Sequence, residues 1–183
     1  MTEDEHPRPG VTLADLQRLR PAFRPGGRVT AGNSAGLNDG AGAVLLASQE
    51  TASELGLPAV MRLVDYAFVG VDPESMGWGP VPATEKVLRR NGLRIDEIDA
   101  IEQNEAFAVQ VLAFLDHFGI PQDSTAHNPY GGAIAVGHPL AMSGARLTQQ
   151  LAHRMRQDES VRLGLTTLCV GLGMGCAVLW ERL

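Results

Sequence analysis

Three stretches of the sequence place a reactive or polar side chain beside glycines or at the end of an apolar run. Asn104 lies in a short polar run between an apolar strand pattern and an apolar helix pattern. His138 lies in a glycine-rich run and directly precedes a proline, and Cys169 ends an apolar run before a glycine loop. An amide, an imidazole and a thiol together could donate hydrogen bonds to an oxyanion and move a proton.

Each of these three side chains also has a purely structural interpretation. Asn104 can cap the following helix, since Asn is a favoured N-cap residue. His138 can be a packed histidine at a helix start, and Cys169 can be a buried, inert thiol. For His138 the following proline excludes helical backbone, and the positive end of the next helix would favour a neutral imidazole. A neutral imidazole can donate a hydrogen bond or accept a proton.

Composition narrows the class of protein. The net charge of −6 and the absence of a long basic stretch argue against nucleic acid as a partner. We find no apolar run of membrane-spanning length and no apolar core of a signal peptide, so we expect no membrane partner. The two cysteines, Cys169 and Cys176, lie in one glycine-rich stretch, and we expect a reduced, cytoplasmic protein. The remaining histidines lack partners at metal-ligand spacing, so we expect no metal site.

Strand and helix patterns alternate along the chain, which predicts the α/β class. The strand patterns cover 28–31, 59–71, 100–103, 163–168 and 175–180. The helix patterns cover 12–19, 40–47, 48–55, 82–91, 106–118 and 140–157. The last two strands are joined by a glycine-rich link, which predicts a hairpin.

The predicted helix 106–118 is apolar nearly all round, with aromatic and aliphatic side chains on every face. A helix of this kind is buried on every face and needs a layer on each side. A chain of 183 residues can hardly supply both layers. We therefore expect this chain to be part of a larger body.

Taken together, these motifs resemble the thiolase family, the acetyl-CoA acetyltransferases and 3-ketoacyl-CoA thiolases. The matching stretches, in the family's order and spacing, are 28–40, 70–77, 104–107, 131–139, 143–146 and 169–171. The resemblance covers the whole chain and about the last half of a family member. It implies one half of a layered thiolase-like fold: a mixed five-stranded sheet with helices on both faces. Residues 1–24 would be a connecting tail and 25–183 the C-terminal domain.

The resemblance also assigns roles to residues. Cys169 matches the acid/base cysteine, and His138 matches the histidine that helps to activate the nucleophile and binds the thioester oxygen. Asn104 matches the residue that holds a water in that oxyanion hole, and the N–H of Gly171 matches a donor of a second hole. The residues that match the lining of the substrate pocket are Ser34, Ala35, Met76, Ala106 and Phe107. Ala35 departs from the family pattern, in which Ser is common.

The implied reaction is acyl transfer between acyl-CoA and acetyl-CoA, by Claisen condensation or thiolytic cleavage. Coenzyme A thioesters are its substrates, and no further cofactor is implied. The nucleophilic cysteine belongs to the first half of the family, and neither cysteine here occupies its place. We therefore expect an N-terminal thiolase half as a partner, a homo-oligomer when complete, and an inactive isolated chain. A modestly lowered pKa would suit Cys169 for proton transfer at neutral pH.

Two other functions remain open at this stage. The chain can be a non-catalytic module that binds CoA thioesters or regulates a full-length relative. It can also be a hydrolase in which Cys169, His138 and Asn104 form a Cys–His–Asn set.

Overall fold

A computed structural model describes residues 2–183; Met1, the first residue of the predicted tail, lies outside the described residues. The helices are α1 (Leu13–Gln17), α2 (Gln49–Glu54), α3 (Pro80–Asn91), α4 (Ala108–Phe118), α5 (Ala133–Val136) and α6 (Ser143–Gln157). The strands are β1 (Met61–Gly70), β2 (Ala100–Gln103), β3 (Leu163–Val170) and β4 (Met174–Arg182). Within the same residues, no helix combines the length and hydropathy needed to cross a bilayer.

The four strands form one mixed sheet in the order β1-β4-β3-β2. β4 is antiparallel to both β1 and β3, whereas β2 is parallel to β3. The α/β class and the mixed sheet are confirmed, but the sheet has four strands rather than five. Residues 28–31 form no strand, because the Thr30 hydroxyl accepts a hydrogen bond from Gly32 N at 3.2 Å and caps a single 3-10 turn, Ala31–Asn33.

Helices cover both faces of the sheet, as the family resemblance implied. α3 and α4 pack on one face, in a core that contains Val87, Phe114 and Leu179. α6 packs on the other face, where Leu151 and its neighbours meet the side chains of alternate strand positions. Since successive strand side chains point to opposite faces, β4 contributes to both cores.

The predicted hairpin is confirmed by β3 and β4. Cys169 is the second-last residue of β3, and the register of the hairpin pairs it with Gly175 of β4. The connecting turn contains Leu172 and Gly173, whose φ angles are 67° and 85°. Gly173 adopts this left-handed backbone conformation without a steric cost because it has no Cβ atom. Leu172 adopts it as well, and its side chain is 90% exposed.

The predicted helix 106–118 is confirmed as α4, and this chain covers only one of its faces, since Val109 is 55% exposed and Leu112 is 45% exposed. One helix prediction is wrong: residues 40–47 form no helix and are exposed. Gly40 and Gly42 weaken a helix there, and the two glycines instead lie close to Pro139 and Met142, just before α6.

Candidate functional site

The amide of Asn104 and the imidazole of His138 lie together at the end of β2. Asn104 is fully buried, and its main-chain N–H donates to Thr167 O at 2.9 Å, which continues the pairing of β2 with β3. Its Nδ2 lies 3.3 Å from Nε2 of His138. The N-cap of α4 is Phe107, so Asn104 is not the cap of that helix. Its amide is left to contact the imidazole.

The guanidinium of Arg146 fixes the orientation of the Asn104 amide. A nitrogen of Arg146 donates to Oδ1 of Asn104 at 3.4 Å. Because a guanidinium can only donate, Oδ1 must face Arg146 and Nδ2 must face the ring of His138. Nε2 of the imidazole therefore accepts a hydrogen bond from the amide.

Ser143 and the 36–38 segment hold the other side of His138. Nδ1 of the ring lies 2.6 Å from the Ser143 hydroxyl, and Nδ1 carries the ring proton when Nε2 is an acceptor. The main-chain N–H of His138 is shared between Gly36 O and Oδ1 of Asn38, each at 3.1 Å. Ring and backbone are thus both fixed.

Burial, together with the positive charge of Arg146, lowers the pKa of His138. The sequence predicted a neutral imidazole because of a helix N-terminus, whereas in the structure burial is the main cause. α6 begins at Ser143, five positions after the histidine, so the positive end of a helix is not directly at His138. Desolvation disfavours the imidazolium, and a nearby guanidinium disfavours it further.

Cys169 reaches this pair through Gln110. Sγ of Cys169 lies 3.7 Å from Oε1 of Gln110, and Nε2 of Gln110 donates to the main-chain oxygen of Asn104 at 3.1 Å. Burial raises the pKa of Cys169, opposed by a hydrogen bond from its own main-chain N–H. This direction is opposite to the modest lowering that sequence reasoning favoured, because the thiol is more buried than a loop position suggested.

The structure places Gly171 between β3 and β4, and Met76 in a 3-10 segment before α3. Gly171 is in the β3–β4 turn, and no atom lies within 4 Å of the point where a Cβ would be built. Met76 belongs to the 3-10 segment Pro73–Trp78, which packs against α4. A Cβ on the next residue, Gly77, would lie 3.3 Å from Cβ of Gln110.

The other four residues of the predicted substrate pocket are brought together. Ala35 N donates to Ala106 O at 3.0 Å, and Ser34 forms an antiparallel bridge with Phe107. The ring of Phe107 also meets Phe23 edge to face, with centroids 5.7 Å apart. A segment near the start of the chain therefore joins the approach to α4 across about seventy sequence positions.

A cavity of about 610 Å³ opens beside these residues. Its lining includes Ser34 and Ala35, together with Gly36, whose carbonyl accepts the His138 N–H. His6 and Arg8 of the predicted tail also line this cavity. The first residues of the chain thus form part of the candidate binding region, which the sequence did not predict.

Sequence reasoning gave no role to four polar residues that hold the site: Gln110, Ser143, Arg146 and Glu105. The Glu105 carboxylate accepts from Nδ2 of Asn128 at 2.8 Å and from the main chain of Ile134 at 3.2 Å. Gln110 could have been found from the sequence, because it is a polar residue within an otherwise apolar helix pattern. Ser143 and Arg146 lie in a matched stretch, but only the fold brings them to His138 and Asn104.

The part of the chain that the structure describes holds no group of three or more His, Cys, Asp or Glu side chains that could bind a metal ion. The reactive and polar groups that this site brings together include a thiol, an imidazole and amides.

Comparisons with known proteins match this arrangement to one family. The family model described as "Thiolase, C-terminal domain" matches residues 57–182, and "Thiolase, N-terminal domain" matches residues 1–50. The prediction that the chain resembles the C-terminal half alone is therefore partly wrong. Its first fifty residues are similar to the end of the family's N-terminal domain.

Relatives of several activities are similar over almost the whole chain. The 3-oxoadipyl-CoA/3-oxo-5,6-dehydrosuberyl-CoA thiolase of Escherichia coli (strain K12) is 50% identical over 98% of this chain and 44% of that protein. The acetyl-CoA acetyltransferase of Syntrophomonas wolfei is 49% identical over 98% of this chain and 45% of that protein. The chain thus spans less than half the length of these relatives.

Solved structures show the same fold. Human mitochondrial 3-ketoacyl-CoA thiolase in complex with CoA superposes with a TM-score of 0.90 at 43% identity, over 100% of this chain and 46% of that one. The acetyl-CoA acetyltransferase of Bacillus anthracis gives a TM-score of 0.89 at 43% identity, over 99% of this chain and 45% of that one.

Proposed function

Since the chain belongs to the thiolase family, we propose that it supplies the acid/base thiol and one oxyanion hole for acyl transfer between acyl-CoA and acetyl-CoA. The observation that carries this proposal is the 3.3 Å contact between Nδ2 of Asn104 and Nε2 of His138, with Cys169 joined to Asn104 through one buried glutamine. An amide, an imidazole and a thiol that lie far apart in sequence thus form one connected cluster.

The proposed chemistry begins at the α-carbon of acetyl-CoA. In the condensing direction, the thiolate of Cys169 takes an α-proton, and the electron pair of that C–H bond moves into an enolate. The enolate oxygen is stabilised by the NH₂ group of Asn104 and by His138 in the tautomer that carries its proton on Nε2, with the Ser143 hydroxyl then donating to Nδ1. One preorganised donor of this kind contributes about 3–4 kcal/mol to transition-state stabilisation. The enolate carbon then attacks an acyl thioester, and a C–C bond forms as a thiolate leaves.

His138 can serve the acylation step from the same position. Its Nε2 is unprotonated when it accepts from Asn104, so it can take the proton of an approaching nucleophilic thiol. The resulting imidazolium donates to the thioester oxygen, and Nδ1 keeps its bond to Ser143. The lowered pKa of His138 favours return of the proton to the leaving group.

The nucleophilic thiol is proposed to come from an N-terminal thiolase half, because the two cysteines of this chain are Cys169 and the buried Cys176. Coenzyme A thioesters are the proposed substrates, bound along the cavity beside Ser34 and Ala35. The yeast peroxisomal thiolase among the structural relatives is described as dimeric. A homo-oligomer is the proposed state of the assembled enzyme.

The geometry argues against a free-standing Cys–His–Asn hydrolase. In such a set the imidazole contacts the thiol and activates it. Here Nε2 of His138 contacts Asn104 and Nδ1 contacts Ser143, while the sulfur of Cys169 contacts Gln110. Neither ring nitrogen is hydrogen-bonded to the Cys169 thiol.

Complementation tests the proposed function. The chain is mixed with a separately produced N-terminal thiolase half, and CoA-dependent cleavage of acetoacetyl-CoA and of 3-oxoadipyl-CoA is measured. We expect no activity from either half alone and activity from the mixture. Both substrates are used because the identities to the relatives with these two activities differ little, at 50% and 49%.

Two cysteine variants serve as test and control. Cys169→Ser should abolish the activity of the mixture, since a hydroxyl is too weak an acid to exchange the proton at neutral pH. Cys176→Ala should retain it, because Cys176 lies within β4, away from the amide and the imidazole. A folded mixture without activity on either thioester would instead favour the non-catalytic, CoA-thioester-binding module.

A further inference from the structure

Gln110 is a buried amide near the start of α4, on a helix whose other side chains are mostly apolar. It is 4% exposed, yet both ends of its amide are hydrogen-bonded. Nε2 donates to Asn104 O at 3.1 Å, and Oε1 lies 3.7 Å from Sγ of Cys169. A single side chain thus spans the two parts of the candidate site.

The Asn104 carbonyl decides which way this amide points. A carbonyl oxygen only accepts hydrogen bonds, so the NH₂ group of Gln110 must face it. The amide oxygen must then face the sulfur of Cys169. An oxygen can accept a hydrogen bond from a thiol but cannot donate one to a thiolate, so this contact favours the protonated form of Cys169.

The stem of the side chain is also confined. A Cβ on Gly77 would lie 3.3 Å from Cβ of Gln110, which places the 3-10 segment Pro73–Trp78 directly against it. The main-chain N–H of Gln110 donates to Phe107 O at 3.1 Å. Packing and hydrogen bonds together hold the amide in one position.

We propose that Gln110 is a positioning residue that holds the Cys169 thiol protonated and fixed relative to Asn104. This inference rests on the acid/base role proposed for Cys169. In the cleavage direction the held thiol is ready as an acid: its proton moves to the α-carbon of the enolate, a C–H bond forms, and the S–H electron pair stays on sulfur. Burial raises the pKa of Cys169, and no charged group is among the causes of that shift.

Thiol ionisation in the chain itself tests the inference. The rate at which iodoacetamide alkylates Cys169 is followed against pH by peptide mass spectrometry, in the native chain, in Gln110→Met and in Gln110→Glu. Met is similar in length but removes the oxygen, so the apparent pKa should fall and alkylation at about pH 8 should become about threefold faster. Glu places a negative charge beside the sulfur, so the apparent pKa should rise by about one unit or more.

Opposite signs for the two variants separate this role from a merely structural one. A loosened site would expose the thiol in both variants and speed alkylation in both. Gln149→Met, which removes an exposed amide of α6 that donates to Ala43 O, should leave the profile unchanged. Profiles that shift in the same direction in Met and Glu, or that do not shift at all, would overturn the inference.

Cys176 provides an internal check of folding. Burial raises its pKa to about 11, so it should stay unmodified wherever β4 is intact. If Gln110→Glu exposes Cys176, the Met variant decides alone, and an apparent pKa equal to or above that of the native chain refutes the inference. The measurement needs no catalysis, so its outcome is independent of whether the complemented mixture turns over a thioester.

Discussion

The imidazole of His138 lies between two side chains that together determine its protonation. Arg146 turns the Asn104 amide so that its NH₂ group faces the ring, and the Ser143 hydroxyl accepts a hydrogen bond from the N–H of the other ring nitrogen. Since this hydroxyl can donate as well as accept, it can pair with Nδ1 in either neutral tautomer of the ring. The protonation of His138 is thus controlled by neighbours five to thirty-four positions away.

Removal of the imidazole should be costly. In the chain complemented with an N-terminal half, His138→Ala should lower kcat for thioester cleavage by about 10²–10³-fold, the usual effect of losing one oxyanion donor. His153→Ala is the matched control, because His153 is an exposed histidine of α6. The control should keep the native kcat. Equal losses in the two variants would show that His138 acts only through packing.

A second histidine makes the fold sensitive to acid. Burial, with a contribution from the positive charge of Arg154, lowers the pKa of His127 to about 4, and its Nε2 contacts Oε1 of Gln103 at 2.9 Å. A pKa lowered by folding adds stability above the unfolded pKa and loses it as pH falls through the folded pKa. The free energy of unfolding should therefore fall by about 3 kcal/mol between about pH 7 and about pH 4 from His127 alone.

Urea unfolding at several pH values checks this expectation. His127→Gln keeps an amide donor for Gln103 but cannot take up a proton, so its stability should change less over the same pH interval. A variant whose stability falls as steeply as that of the native chain would place the acid sensitivity elsewhere.

The backbone of β4 passes close to the residue before α3, and this crossing helps to position the thiol. A Cβ on Gly175 would overlap the main-chain carbonyl of Gly79, where α3 begins beside β4. Gly175 is also the register partner of Cys169. Close packing at this crossing therefore fixes the start of β4 and, through it, the end of β3.

Gly175→Ala should destabilise the fold by about 2 kcal/mol or more, because backbone atoms must move to admit the methyl group. Gly144→Ala is the matched control: it lies in α6 with no atom within 4 Å of the new methyl position. That change should stabilise by up to about 1 kcal/mol, because Ala is a better helix former than Gly and Gly144 lies in the first turn of α6. Denaturant unfolding measures both. A neutral Gly175→Ala would show that the crossing is looser than its geometry indicates.

The elements that the sequence predicted correctly are those in which the hydrophobic pattern and the residues at its ends indicate the same type of element. Strand β1 was predicted because prolines bound its apolar run, and β3 and β4 because a glycine-rich link separates their apolar runs. The segment 40–47 was predicted as a helix because small apolar residues dominate it, yet it lies beside the start of α6 without helical structure. The predicted strand 28–31 failed because one Thr side chain made a local turn more favourable. Neither outcome can be seen without tertiary contacts.

The reactive groups of the candidate site could be predicted from the sequence, but the residues that orient them could not. Cys169, His138 and Asn104 carry reactive groups beside glycines or element ends, which the sequence shows directly. Gln110 and Arg146 act by orienting them, and orientation depends on distances across the sheet that no local pattern encodes. The pKa of Cys169 was misjudged for the same reason, since its burial comes from neighbouring elements.

For the whole molecule, the distribution of apolar surface is unusual for a free-standing protein. Leu37 and Leu45 are 80% and 78% exposed, and Tyr66 and Phe68 of β1 are 54% and 60% exposed. The two rings lie together, with centroids 6.1 Å apart. Contiguous exposed apolar surface of this kind normally contacts another protein surface.

The isolated chain should therefore self-associate as its concentration rises. Tyr66→Thr combined with Phe68→Thr should reduce this association, because Thr keeps the strand propensity of β1 while removing both rings. Tyr130→Thr, which removes an exposed ring from another surface, is the control and should not change it. Sedimentation velocity measures the species present. A native chain that stays monomeric at every concentration would contradict this expectation.

The most direct test of the account is exchange of the α-protons of acetyl-CoA with D₂O, followed by mass spectrometry. The chain is combined with an N-terminal half whose nucleophilic cysteine is replaced by Ala, so that only the proton transfer at the α-carbon is observed. We expect deuterium uptake with the native chain and with Cys176→Ala, and a loss of about 100-fold or more with Cys169→Ser. Undiminished uptake with Cys169→Ser would show that the proton moves through another group and would contradict the proposed role of this thiol.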